Sequence, residues 1–282
     1  MNLITTRPGE GAVARAARRC AQGVVVSFKR LGRPFDWRKA FPWIEQPKSV
    51  LIGAAIVIAV LLVVMALIDA RVSVAVQRLP GWFIDFCDFV TDFGKGAWVL
   101  WPLGLLYLAL AALPRPATAI SQRVMASVMV RTGFLFAAIG LPGLAAALFK
   151  NMIGRARPGV GGETNPFLFD PFHWAPSFAS LPSGHATTAF AALAAIGALF
   201  PRARTALLIY AVVIGISRIV LRSHYVSDVM AGAVFGIVGV ILVRRWFAAI
   251  RLGFCIGPDG SLHQHPGPSA RRIKAVAREL LA

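Results

Sequence analysis

Six apolar blocks separated by short polar stretches govern what this chain of 282 residues can become. The first, residues 50–68, has no charged residue, and at about 1.5 Å per residue a helix of that length crosses a bilayer core. It begins too late, and is too long, for a cleaved signal peptide. Further blocks lie at residues 97–113, 128–149, 184–200, 205–221 and 229–243. With 57% hydrophobic and only 15% charged residues, the composition excludes an ordinary soluble domain. Backbone surrounded by hydrocarbon must satisfy its own hydrogen bonds. The expected fold class is therefore all-α: a polytopic membrane protein, a six-transmembrane-helix bundle.

A formal net charge of +18 would point to nucleic acid in a soluble chain, but here the Lys and Arg residues sit between apolar blocks, so no nucleic-acid partner is expected. Six spans put both termini on one side, and the excess of Lys and Arg makes that side cytoplasmic. On this assignment 22 basic and 5 acidic residues are inside, against 8 and 7 outside. The expected divisions are a cytoplasmic basic segment at 1–48, a membrane domain at 49–250 and a cytoplasmic tail at 251–282. The basic segment reads as a contact with anionic membrane lipids, residues 13–31 being able to lie along the interface as a helix. Between the first two blocks, Asp85, Asp88 and Asp92 share one helical face, which suits an amphipathic surface helix over residues 72–93 with no catalytic role. Size and richness in Arg and Ala suggest a bacterial cytoplasmic membrane. Cys20, Cys87 and Cys255 show neither a paired framework nor a zinc-ligand spacing.

Outer loops should be poor in cations, yet Lys150, Arg155, Arg157, Arg218 and Arg222 gather near the outer ends of the third and fifth blocks. Lys150 and Arg157 are seven apart, two helical turns, so both can grip one phosphoryl group. Arg155 has no matching partner and reads as a side chain snorkelling to headgroups. The stretch Pro182-Ser183-Gly184-His185 opens the fourth block, where a helix start aims free N–H groups at an anion, the Ser183 hydroxyl assists and His185 can exchange a proton. An ordinary capped helix start is the plainer reading of that stretch alone. In the third stretch His224 and Asp228 are four apart, so Asp228 can hold one ring nitrogen and leave the other as a nucleophile. Arg218 stands beside them, whereas Arg222 stays outside the core set. His173 and Trp174, between the motifs, read as loop packing on the outer surface.

These residues resemble the type 2 phosphatidic acid phosphatase superfamily, the lipid phosphate phosphatases. That family's signature is Lys-x6-Arg-Pro, Pro-Ser-Gly-His and Ser-Arg-x5-His-x3-Asp. Lys150, Arg157 and Pro158 fill the first part, Pro182 to His185 the second, and Ser217, Arg218, His224 and Asp228 the third. The resemblance implies that Lys150, Arg157 and Arg218 bind phosphate, with Ser183 and the Gly184 amide assisting. It implies that His224 attacks phosphorus, that Asp228 orients it, and that His185 protonates the leaving alkoxide and then activates water.

No cofactor and no metal are expected, because three cations and helix amides can supply the charge stabilisation that phosphoryl transfer needs. The substrate expected is a lipid phosphate or diphosphate: phosphatidate, diacylglycerol diphosphate, phosphatidylglycerol phosphate, a polyprenyl diphosphate or a phosphorylated glucosamine lipid. The rival readings are a phosphatase of soluble monoesters, a vanadate-dependent haloperoxidase, whose relatives are soluble, and an anion-binding transporter.

Overall fold

A computed structural model describes residues 11–162 and 164–281; residues 1–10, which include Arg7 and Glu10 of the basic segment, lie outside the described residues, as do Glu163 and Ala282. In chain order the helices are α1 (Ala12–Leu31), α2 (Trp37–Ala40), α3 (Pro47–Val64), α4 (Ala70–Ala75), α5 (Gly81–Thr91), α6 (Gly96–Ala112), α7 (Ala119–Ile153), α8 (Gly184–Leu199), α9 (Arg204–Val220), α10 (Val226–Ala249) and α11 (Ala270–Leu281). The tail also forms an antiparallel hairpin, β1 (Phe254–Ile256) with β2 (Leu262–Gln264), in which Cys255 faces His263. Among the described residues five helical runs are long and apolar enough to cross a membrane: Pro47–Arg78, Gly81–Ala112, Ala119–Ile153, Pro201–Val220 and Val226–Ala249. The chain is an integral membrane protein. Leu51, Ile56 and Ile58 of α3 are each more than half exposed, as a helix apolar on every side must be when its solvent is lipid.

Two segments take forms that the apolar pattern alone does not show. The fourth apolar block forms α8, which at 16 residues is shorter than the roughly 20 of a typical span. Ser183 caps its start, Phe200 and Pro201 close it, and nine of its residues are buried, so α8 is enclosed by protein. Nor is there one surface helix over residues 72–93. The first run continues through a π turn (Met65–Asp69) and α4 to Arg78, and a separate α5 buries Cys87 and Thr91 while packing on α9. Asp85, Asp88 and Asp92 remain exposed.

The chain divides into two compact units. The first comprises Met1–Ala40, Pro102–Phe134 and Trp246–Ala282. In it α1 lies on α6: Arg19 Nε donates to Ala112 O at 2.9 Å, the Tyr107 hydroxyl bonds Ser27, and Gly23 allows close approach to Ala111. Phe134 meets Phe247 and Phe254 edge-on, and Glu279 of α11 accepts from the Ala117 amide at 2.7 Å and the Ser121 hydroxyl at 2.5 Å.

The second unit, Phe41–Trp101 with Leu135–Arg245, contains every candidate site residue. Its core is built on small residues. Ala186, Ala189, Ala191, Ala192 and Ala195 of α8 are buried, and α10 presents Gly232 and Gly236, four apart on one face, to the α8 backbone. A Cβ at Gly232 would lie 2.6 Å from Ser183 O, and one at Gly236 would lie 2.5 Å from Thr187 O. Neither distance is tolerable without moving a helix. Gly236→Ala is expected to lower stability by about 1–3 kcal/mol, the usual cost of overpacking. Gly53→Ala on α3, where an added Cβ meets nothing within 4 Å, should leave stability unchanged. Thermal unfolding of both variants in detergent checks this.

Candidate active site

Gly154 ends α7 and starts the loop that builds the site. Its φ is +62°, and a Cβ there would fall 1.7 Å from Asp170 O, so only glycine fits. Beyond it the chain is tied to the returning loop. Ala156 N donates to Leu168 O (3.0 Å), Arg157 N to Ser177 O (2.8 Å) and Ser180 N to Arg155 O (3.1 Å). Lys150 therefore lies on the last turn of α7 while Arg157 lies on the loop, which corrects the expectation of one continuous helical face. The two remain electrostatic neighbours. Burial holds the Arg157 guanidinium below its ordinary range, opposed by the Asp228 carboxylate.

Arg155 does not snorkel. It is fully buried, and its guanidinium donates to Asp228 Oδ1 at 2.5 Å, Asp69 Oδ2 at 2.9 Å, Ser227 Oγ at 2.7 Å and Pro166 O at 3.0 Å. The Tyr225 ring lies 4.5 Å beneath it. Asp69, in the π turn of the first run, also accepts from the Ser227 amide at 3.0 Å and the Ser227 hydroxyl at 2.5 Å. Both residues escape motif reading. Only the lone carboxylate inside an otherwise apolar helical run marks Asp69, since such a group needs a buried partner.

The third motif is a turn between helices. At the end of α9, Arg218 O accepts from the amides of Ser223 (3.1 Å) and His224 (3.2 Å), with Arg222 in the left-handed region at φ 51°. His224 thus precedes α10, and Asp228 sits in its first turn. Asp228 Oδ2 accepts from the Tyr225 amide (2.8 Å) and the Ser180 hydroxyl (2.6 Å). His224 Nδ1 lies 3.8 Å from that oxygen, ion-pair range but too long for a hydrogen bond, and has no hydrogen-bond partner. Burial pushes the His224 imidazole below its ordinary value, against the pull of Asp228. It is therefore a neutral base near pH 7. Burial pushes the Tyr225 hydroxyl up to about 12.

The second motif faces this turn. Ser183 is fully buried; its amide donates to Asp228 O at 3.0 Å and its hydroxyl accepts from Ala186 N at 3.5 Å. A Cβ at Gly184 would meet nothing within 4 Å, so the helix start is open there. His185 packs against Gly94, and its Nε2 is buried without a partner. The titratable groups bearing on it are Arg218, His224, Lys95 and Arg157. Arg218 donates to Thr91 Oγ1 at 2.9 Å while its Nε is unpaired, as is Arg157 Nε. Arg222 lies against Gly159. His173 pairs with Asp170 at 2.6 Å on the surface of the loop, and Trp174 is exposed. Among the described residues no group of three His, Cys, Asp or Glu is placed to hold a metal ion.

Two imidazoles, His185 and His224, gathered with the Arg157 and Arg218 guanidiniums in a helical membrane protein suit the binding and transfer of a phosphoryl group. Comparison with known proteins agrees. The PAP2 superfamily profile matches residues 131–252. A lipid A 1-phosphatase of Rhizobium johnstonii is 35% identical over 214 residues, 76% of this chain and 84% of that one. Another from Rhizobium etli is 37% identical over 197 residues, 70% of this chain and 84% of that one. A solved PAP2-type phosphatidylglycerolphosphate phosphatase from Bacillus subtilis superposes with a TM-score of 0.47 at 20% identity, covering 67% of this chain and 92% of that one. The chain belongs to the PAP2 superfamily.

The contact between Gly94 and His185 gives a test of geometry. A Cβ at Gly94 would lie 3.0 Å from His185 Cδ2 and 2.6 Å from Ile214 Cγ2. Gly94→Ala should displace the imidazole and lower kcat by about ten- to a hundredfold in protein that still folds, measured by steady-state phosphate release.

Proposed function

We propose that this protein hydrolyses a lipid phosphate, foremost a phosphorylated glucosamine lipid of the lipid A type, through a phosphohistidine formed on His224. The observation carrying this reading is that Arg157 Nε, Arg218 Nε and His185 Nε2 are all buried without protein partners around the same motifs. Burying three unpaired polar groups is costly unless an anion completes them. The names of the two Rhizobium relatives support the choice of lipid.

His224 Nδ1 faces Asp228, which leaves Nε2 to attack phosphorus in line. The P–O bond to the lipid breaks and His185 gives its proton to the departing alkoxide. Amid Arg218, Lys95 and Arg157, a bound phosphate anion is what holds that proton on His185. In the second half His185 removes a proton from water, the resulting hydroxide attacks phosphorus and the P–N bond breaks, restoring both imidazoles. Lys150, Arg157, Arg218 and the Gly184 amide stabilise the charge on the transferring group, while Ser183 caps α8.

The membrane domain at residues 49–250 carries the reaction. Both termini lie in the cytoplasm of a bacterial cell, and the site opens at the outer face of the cytoplasmic membrane. The sidedness of charge supports this, the cytoplasmic stretches carrying 22 basic and 5 acidic residues.

Two experiments test the reading. Detergent-purified protein with chelator present should release phosphate from lipid A-type substrates faster than from phosphatidate, polyprenyl diphosphates or sugar phosphates, and His224→Ala should lose that release at least about a thousandfold. Preference for a sugar phosphate, or turnover surviving in His224→Ala, would refute it. A Cys replacing Ala175, beside Trp174 in the outer loop, should react in intact cells with a membrane-impermeant maleimide. Reaction only after the cells are opened would reverse the proposed orientation.

A further inference from the structure

The buried group behind Asp228 extends the proposed mechanism and rests on its assignment of His224. Arg155 is held between two carboxylates, with Nη1 on Asp228 and Nη2 on Asp69, and all three side chains are without exposure. Two carboxylates and one guanidinium leave the group with one net negative charge. Oδ1 of Asp228 is taken by Arg155, and Oδ2 by the Ser180 hydroxyl and the Tyr225 amide, so this carboxylate cannot rotate without breaking three bonds. Asp69 in turn grips the first turn of α10 through the amide and hydroxyl of Ser227, next to Asp228 in sequence.

We propose that Asp69 and Arg155 are positioning residues for the reaction, fixing Asp228 opposite His224 Nδ1 and maintaining the single buried negative charge that supports His224 when its ring carries positive charge. Formation of the P–N bond at Nε2 leaves the imidazole ring cationic, with its proton on Nδ1. From the elements around it, His224 faces Asp228 of α10, Arg218 of α9, His185 of α8 and Arg157 of the loop. Asp228 is the one anion in that set. Without Asp69, the whole positive charge of Arg155 falls on Asp228, and the ring loses its counter-charge.

The test uses the full-length enzyme in mixed micelles with lipid A. Asp69→Asn keeps the shape and removes the charge. Its kcat should fall about tenfold or more with KM within about twofold, and the acid limb of kcat/KM should move down by about half a pH unit or more, because a cationic His224 is less supported. Comparison with wild type on one substrate cancels ionisation of the substrate itself. A loss of activity that only tracks loss of folded protein, with the limb unmoved, would assign Asp69 a structural role and overturn the proposal.

Should Asp69→Asn fail to fold, Arg155→Gln and the double variant Asp69→Asn with Arg155→Gln decide. The single change leaves two buried negative charges and should move the limb up. The double change returns the group to one and should bring the limb back toward wild type. A double variant whose limb stays with the single Arg155→Gln overturns the proposal. His224→Ala separates the two levels: turnover surviving there overturns the nucleophile assignment and the proposal with it. Turnover abolished there, but a wild-type kcat and limb in Asp69→Asn, overturns the proposal alone.

Discussion

A guanidinium enclosed in protein with no exposed atom is tolerable only when its charge and its donors are all matched. Arg155 meets that condition through two carboxylates, a hydroxyl and a carbonyl drawn from three separate stretches of chain. Removing one partner of such a buried set typically costs about 3–5 kcal/mol, because the charge left behind has no water to turn to. The positions of Asp69, the loop at Pro166 and the first turn of α10 are therefore not independent. The turn that carries His224 is located by the same contacts, since Asp228 both caps α10 at the Tyr225 amide and anchors Arg155.

A second constraint is steric. The start of α8 lies against α10 because glycines at positions 232 and 236 let two backbones touch, and the Ser183 amide then reaches the Asp228 carbonyl. Polar contacts alone would not bring the second and third motifs together, because lipid gives helices little hydrophobic reason to associate. Close packing of small side chains supplies the contact area, and the hydrogen bond sets the register. The motif residues thus sit on a scaffold made mainly of Ala and Gly.

The class of fold could be read directly, since long apolar blocks leave a chain few alternatives. The three motifs also lead to one site, because each pairs residue types with a spacing that has a local chemical meaning. What could not be read was whatever depends on distant partners. Arg155 reads as a surface cation in the sequence because its partners Asp69 and Asp228 are 86 and 73 residues away. The spacing of seven suggests one helix for Lys150 and Arg157, whereas Gly154, in the left-handed region, separates them. The fourth block had a span's hydropathy, but its length is cut by the Ser183 cap and by Phe200 and Pro201. The hydrogen bond expected between His224 and Asp228 is a 3.8 Å gap, since the carboxylate was already engaged by Ser180 and the Tyr225 amide.

Asp69 bears on how the enzyme is made. The stretch matched by the family profile begins at residue 131 and carries all the signature residues, yet Asp69, Thr91 and Gly94 come from the two helical runs before it. Both runs precede Arg155 in the chain, so one of its two carboxylates comes from outside the matched stretch. A shortened chain starting at the third run would have every signature residue and still present Arg155 with one carboxylate where the whole protein offers two. The amino-terminal half thus supplies a buried carboxylate to a candidate site whose signature residues all lie in the other half.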